Sequence, residues 1–315
     1  MSPTILAIVL AGGEGSRLRP LTLEHAKPAL PFANGLRIID FVLSNLINSG
    51  ISSIHVLAQY KPASLVAHID KAWNTASGRH RDCAIDVIVP RARDLDYLGT
   101  AHAVYCNLPL IERVAPDLVA VFAADHVYRM DVRQMVNFHI ERRADASVAA
   151  IPVPIGMASS FGIIEAESNG RIRNFQEKPS QAVPMASAHD LAFASMGNYL
   201  FGTRFLVESL RASDCENESD FGRHFLPRAA RVARTFAYDF STNRVLGLRS
   251  YEEPAYWRDV GTLAALSKAR FETSGPHPKF DLTNANWPIR GATSDDSSKQ
   301  QVATRDEWRA GVPGY

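Results

Sequence analysis

The chain has 315 residues, long for one core and suited to one large domain or two small ones. Its hydrophobic content of 46% is ordinary for a globular protein, and a net charge of +1 offers no electrostatic footprint for nucleic acid or a membrane surface. Cys83, Cys106 and Cys215 are odd in number and widely spaced, with no C-x-x-C pair, which argues against a disulfide framework or a thiolate zinc site and leaves a reducing cytoplasm as the default compartment.

The chain begins without a basic n-region, and no apolar run approaches the length of a membrane span. The apolar run at residues 5–10 predicts a buried strand. It feeds Ala11-Gly12-Gly13-Glu14-Gly15-Ser16-Arg17, a glycine-rich turn of the kind that aims backbone N–H groups at an anion. Arg17 and Lys27 add positive charge at the same mouth, one as a fork and one as a point charge. The turn is not a Walker loop, because no Gly-Lys-Ser/Thr follows, and its glycine spacing is not the dinucleotide fingerprint. Read alone, it is equally a tight strand-to-helix turn.

Apolar side chains at Ile39, Val42, Leu43, Leu46 and Ile47 predict a helix over 38–48. A strand at 54–58, a helix at 62–73 opening on Pro62, and a strand at 85–89 follow. Residues 100–113 read as a helix, 118–123 as a strand, 132–142 as a helix and 148–153 as a strand. This alternation predicts an α/β fold: a Rossmann-like, mostly parallel sheet with helices on both faces. After about residue 155 the pattern changes. Short strands are predicted at 161–167, 171–176, 194–201, 235–240 and 244–249, with helices at 203–211, 220–233 and 262–272. This mixed half predicts a smaller α+β lobe. Residues 291–315 are polar and read as a loose tail behind a domain that spans 1–290.

Three segments can carry chemistry. Asp125 follows the strand 118–123, at the strand end where open α/β sheets bind ligands. Asp259, in Trp257-Arg258-Asp259-Val260-Gly261-Thr262, reads alone as an Arg258 partner or a helix cap. Glu177-Lys178-Pro179 reads alone as an exposed loop with neighbouring opposite charges.

Beyond these readings, ordered matches run along the chain. They are the Gly12–Arg17 turn, Ala26-Lys27-Pro28-Ala29, Arg37-Ile38-Ile39-Asp40-Phe41, Gln59-Tyr60, Gly99-Thr100-Ala101 and Asp125-His126-Val127-Tyr128. Phe161-Gly162, Glu177-Lys178-Pro179, Ser195-Met196-Gly197, Asp220-Phe221-Gly222, the Trp257 segment and Asn286-Trp287-Pro288-Ile289-Arg290 continue the series. Over roughly residues 5–290 the chain resembles the sugar-nucleotide pyrophosphorylases, and within them the glucose-1-phosphate adenylyltransferases.

The resemblance implies a nucleotidyltransferase that joins ATP and glucose 1-phosphate into ADP-glucose and pyrophosphate for glycogen or glucan synthesis. It implies one Mg²⁺ on Asp125 and Asp259, with Arg17 and Lys27 on the leaving pyrophosphate. Gly12, Gly13, Gly15, Gln59, Tyr97, Gly99 and Thr100 are implied on the nucleotide side, although Thr100 is equally a helix cap. Gly162, Glu177, Lys178, Ser195, Asp220 and Trp257 are implied on the sugar-phosphate side. Nucleic acid and membrane are not expected as partners, and a homo-oligomer is possible.

Departures fall outside this set. His102 stands where such enzymes carry Asp, Asp96 precedes Tyr97 in place of a second aromatic, and Ala124 replaces a glycine. Glu24 and His25 stand at positions associated with effector binding, and the hexapeptide-repeat β-helix domain is not seen. These differences leave open UTP, dTTP or GTP as the nucleotide, or a non-catalytic regulatory subunit.

Overall fold

The computed structural model describes residues 2–74, 84–90 and 96–291. The predicted tail beyond Gly291 and Cys83 lie outside the described residues. The first half alternates as expected. Strands β1 (Ile5–Ala11), β2 (Ser53–Ala58), β3 (Ala84–Ile88) and β4 (Leu118–Ala123) are separated by helices α1 (Ile39–Asn48), α2 (Pro62–Ala72), α3 (Thr100–Cys106) and α4 (Leu108–Val114). After β5 (His126–Tyr128) come α5 (Val132–Glu141) and β6 (Ala146–Pro154).

The second half holds β7 (Gly162–Ala166), β8 (Ile172–Glu177), β9 (Leu191–Gly202), α6 (Thr203–Arg211), α7 (Leu226–Val232), β10 (Thr235–Asp239), β11 (Trp257–Asp259) and α8 (Leu263–Glu272). The central order is β10-β6-β9-β4-β1-β2-β3. Within it only β9 opposes the common direction, through its antiparallel pairing to β4 and β6. This is the mixed, mostly parallel α/β sheet expected from the sequence. No helix among the described residues is long and apolar enough to cross a membrane.

The period of two along β1 explains why both faces are covered. Ala7, Val9 and Ala11 face a core built with α1, α2 and α5, while Leu6 and Ile8 face one built with α3, α4, α6 and α7. All five side chains are buried. A third cluster gathers Leu18, Leu30, Phe41 and Val260 with Leu266 and Ala269 of α8, and so sets the segment after the glycine-rich turn against α8. A fourth, with Val153, Ile163 and Ala194, packs β7 against the ends of β6 and β9.

Three expectations are corrected. The helix 100–113 is two helices, because Pro109 supplies no N–H and cannot follow on from α3, so the chain resets at Asn107. No strand forms at 244–249. There Arg244 N–H donates to Gln134 Oε1 at 3.0 Å and Gly247 sits at φ +79°, so the backbone is committed to a loop. The helix expected at 220–233 opens with a π-helical turn at Phe221–Phe225 before α7 begins, with Pro227 near its start. The β5–β11 pair, antiparallel and outside the main sheet, was not expected.

Candidate active site

β1 and β4 run side by side and end together, with Leu10 opposite Ala123. Beyond them lie the Gly12–Arg17 turn and Asp125, at the carboxyl edge of the sheet. Gly15 takes φ +67°, a left-handed conformation that glycine adopts without penalty. Its carbonyl accepts from Thr22 Oγ1 at 2.8 Å, closing the turn back on the chain. Gly12 and Gly13 are exposed, with open space where side chains would stand. Their value is therefore access to the backbone rather than relief of a clash.

Lys27 begins a short 3-10 turn whose second residue is Pro28. Its side chain is 7% exposed, and Nζ donates to Asp125 Oδ2 at 2.8 Å and to Asp259 Oδ1 at 3.4 Å. Asp259 arrives from a distant part of the sequence. It stands on β11 directly opposite His126 of β5, so both side chains share one face. His126 Nε2 lies 3.5 Å from Asp125 Oδ1. Burial works to raise the Asp125 carboxyl, but His126 and the Lys27 ammonium outweigh it and hold the group well below the usual carboxylate range. Arg17 and Asp259 both come up against Gly261, where a Cβ would stand 2.8 Å from Arg17 Nη2 and 2.9 Å from Asp259 Oδ1.

The residues expected on the nucleotide side gather at one end of the cleft. Gln59 Oε1 accepts from Tyr97 N–H at 3.0 Å, which leaves the Gln59 amide N–H groups to face a ligand. Gly99 packs so closely on Ser219 that a Cβ would stand 2.5 Å from its carbonyl oxygen. That same carbonyl accepts from Ala101 N–H and His102 N–H at 2.8 and 2.9 Å and closes the start of α3. The Thr100 hydroxyl is not an N-cap. It donates to Asp220 Oδ2 at 3.0 Å and accepts from Phe221 N–H at 2.9 Å, and so ties the start of α3 to the Asp220 segment. His102 Nδ1 accepts from Leu98 N–H at 3.2 Å.

Across the cleft, Glu177 lies between two glycines. Its Oε2 would meet a Cβ on Gly222 at 2.4 Å and one on Gly162 at 3.0 Å. Glu177 Oε1 pairs with Lys178 Nζ at 3.0 Å. Lys178 sits at φ +48°, unusual for a side-chain-bearing residue, while its N–H donates to Phe161 O at 3.0 Å. Strain of this kind gathers at ligand sites. Asp220 Oδ1 accepts from Gly222 N–H and Arg223 N–H at 2.9 and 3.0 Å. Ser195 Oγ accepts from Gly197 N–H at 3.2 Å. The Trp257 ring is buried against Phe161 and His126, with centroids 5.4 and 5.1 Å away.

A cleft of about 470 Å³ unites most of these groups. Gly12, Gly13, Lys27 and Asp125 line it together with Gln59, Tyr97, Gly99 and Thr100 at one end and Glu177, Lys178 and Asp220 at the other. Gly15, Arg17, Gly162, Ser195, Trp257 and Asp259 are not on its wall. Gly15 shapes the turn, Gly162 backs Glu177, and Asp259 meets Lys27. Sequence reasoning missed Tyr199, Gly222 and His126. Gly222 and His126 belong to quoted motifs, whereas Tyr199 sits in a buried strand with nothing in its neighbourhood to mark it. A larger hollow of about 730 Å³ opens beside the amino ends of β1 and β2, but none of the predicted residues reaches it.

The two carboxylates fit a hard divalent cation: they converge from separate segments and offer oxygen donors, and one ligand atom each from Asp125, His126 and Asp259 lies within 4.8 Å of the others. The arrangement can hold two polyanions together, with cations at the centre and donors at both ends.

The sequence profile of the nucleotidyl transferase family matches residues 6–274. A glucose-1-phosphate adenylyltransferase of Thermodesulfovibrio yellowstonii is 47% identical over 293 residues, covering 92% of this chain and 71% of the relative. That of Thermus thermophilus is 46% identical over 299 residues, covering 91% and 71%. Glucose-1-phosphate adenylyltransferase 1 of Vibrio cholerae is 42% identical over 289 residues, covering 90% and 70%. The chain belongs to the nucleotidyl transferase family, alongside relatives that are glucose-1-phosphate adenylyltransferases.

Proposed function

We propose that this chain joins glucose 1-phosphate to ATP, giving ADP-glucose and pyrophosphate in the cytoplasm for glycogen or glucan synthesis. The observation that carries the reading is the Lys27 ammonium between Asp125 and Asp259, at the strand ends and on the path between the Gln59–Gly99 end and the Glu177–Lys178 end of one cleft. The names of the relatives support the choice of substrates.

A phosphate oxygen of glucose 1-phosphate attacks the α-phosphorus of ATP in line. The new P–O bond forms as the bond from the α-phosphorus to the bridging oxygen breaks, and its electron pair leaves with pyrophosphate. No enzyme nucleophile is required; positioning and charge neutralisation do the catalysis. Lys178 holds the attacking phosphate as a point charge, and Glu177 accepts from sugar hydroxyls. Lys27 and Arg17 stabilise the charge that develops on the leaving group. Gln59 donates to the base, which lies against the backbone at Gly99. Asp125 and Asp259 would hold Mg²⁺, which would supply Lewis-acid stabilisation of phosphate oxygens.

The test is pyrophosphate release from glucose 1-phosphate with each of ATP, UTP, dTTP and GTP. Turnover with ATP at least tenfold above the others is expected. Preference for another nucleotide overturns the choice of base, and no turnover with any of them overturns catalysis.

A further inference from the structure

We propose that His126 is a third, nitrogen ligand of the divalent ion held by Asp125 and Asp259. The proposal rests on the metal-assisted reading above and adds a donor to it. Antiparallel pairing puts His126 opposite Asp259 on one face of the β5–β11 ribbon. Its Nε2 lies 3.5 Å from Asp125 Oδ1, and one ligand atom from each of the three residues falls within 4.8 Å of the others. In an octahedral site with bonds of about 2.1 Å, neighbouring ligands stand about 3 Å apart and opposite ones about 4.2 Å apart. The three donors therefore need only small movements to share one ion.

The surrounding bonds leave these atoms available. Lys27 takes Asp125 Oδ2 and Asp259 Oδ1, so Asp125 Oδ1, the oxygen beside His126, has no ammonium partner. His126 Nε2 has Asp125 Oδ1 as its polar neighbour, and its Nδ1 is buried without a hydrogen-bond partner among the described residues. The ring is nevertheless held in place, against Trp257 at 5.1 Å. A buried imidazole whose polar neighbour is a carboxylate of this site is placed to act with that carboxylate. Beside two carboxylates it makes a mixed oxygen–nitrogen set, and imidazole favours transition ions over Mg²⁺.

The test uses Mn²⁺ as the probe on the full chain, with inorganic pyrophosphate to complete the site because it contains no nitrogen. Pulsed electron paramagnetic resonance of the wild-type protein is expected to show nitrogen hyperfine modulation on the bound Mn²⁺. His126→Gln should abolish that modulation and raise the Mn²⁺ Kd about tenfold while changing the Mg²⁺ Kd less than twofold. Bound Mn²⁺ without nitrogen modulation in the wild type overturns the histidine ligand and leaves the carboxylate site standing. Equal weakening of both ions in His126→Gln also overturns it. No Mn²⁺ bound by the wild type, or bound Mn²⁺ unaffected by Asp259→Asn, overturns the metal reading itself.

Discussion

Lys178 and Thr100 show how single residues divide the work of the cleft. The Lys178 side chain is 57% exposed and its nearest charge is Glu177, so its ammonium is free to turn toward a phosphate. A charge-assisted contact of this kind contributes about 2 kcal/mol, or about thirtyfold in binding. Lys178→Ala is expected to raise KM for glucose 1-phosphate by about that factor and KM for ATP less than threefold; parallel increases would remove Lys178 from the sugar-phosphate side. Thr100 lies at the Gln59–Gly99 end of the cleft, yet its hydroxyl is spent on Asp220 and on Phe221 N–H. Thr100→Val keeps the shape and leaves both partners unsatisfied. It should raise KM for glucose 1-phosphate about tenfold with little change for ATP, and Thr100→Ser should restore it. A selective rise for ATP would instead make the hydroxyl a nucleotide contact.

At the scale of elements, α5 packs on β6 through a buried polar pair. His139 is buried and its Nδ1 lies 2.9 Å from Ser147 Oγ. Burial, with Arg234 nearby, lowers the imidazole pKa from 6.5 to about 4, against a smaller upward pull from Asp145. The unfolded chain takes up this proton below about 6.5, whereas the folded protein resists until about 4. Stability from this residue is therefore complete above 6.5 and is lost as pH falls toward 4, by at most about 3 kcal/mol. Urea midpoints at pH 7 and pH 4.5 should lie closer together in His139→Gln than in the wild type. An unchanged gap would show that other groups set the acid limb.

At the scale of the whole molecule, Asn45 ties three parts of the chain together. Its Nδ2 donates to Tyr128 O at 3.1 Å, and its Oδ1 accepts from Met130 N–H at 3.0 Å and from Trp287 Nε1–H at 3.2 Å. The segment around Trp287 is further held where Asn48 Nδ2 donates to Pro288 O at 3.0 Å and Arg290 N–H donates to Ser44 Oγ at 2.8 Å. Trp287 and Ile289 are buried. A chain ended at residue 283 loses both side chains and leaves the Asn45 amide short of a partner, at a cost of several kcal/mol. Its Tm should fall by about 10 °C or more, and by clearly more than that of a chain ended at residue 291. Equal losses would show that this segment adds nothing to the fold.

Periodicity was enough to specify β1, α1, β2 and α2, because an apolar stripe or run needs only local spacing to declare which face it buries. That the Gly12–Arg17 turn and Lys27 would lie together was legible for the same reason: residues close in sequence stay close in space. Asp259 was different. Its own neighbours recommended an ion pair or a helix cap, and only resemblance singled it out. Its approach to Lys27 depends on the pairing of β11 with β5, across more than a hundred residues of chain. The break at Asn107, the loop at 244–249 and the Thr100–Asp220 bond likewise depend on partners that no local window contains. Sequence alone determined which segments would be buried and which glycines and cations would sit together after β1. Tertiary structure decided which charges face one another, because electrostatic and hydrogen-bonded contacts act over a few ångströms of space, whatever the distance along the chain.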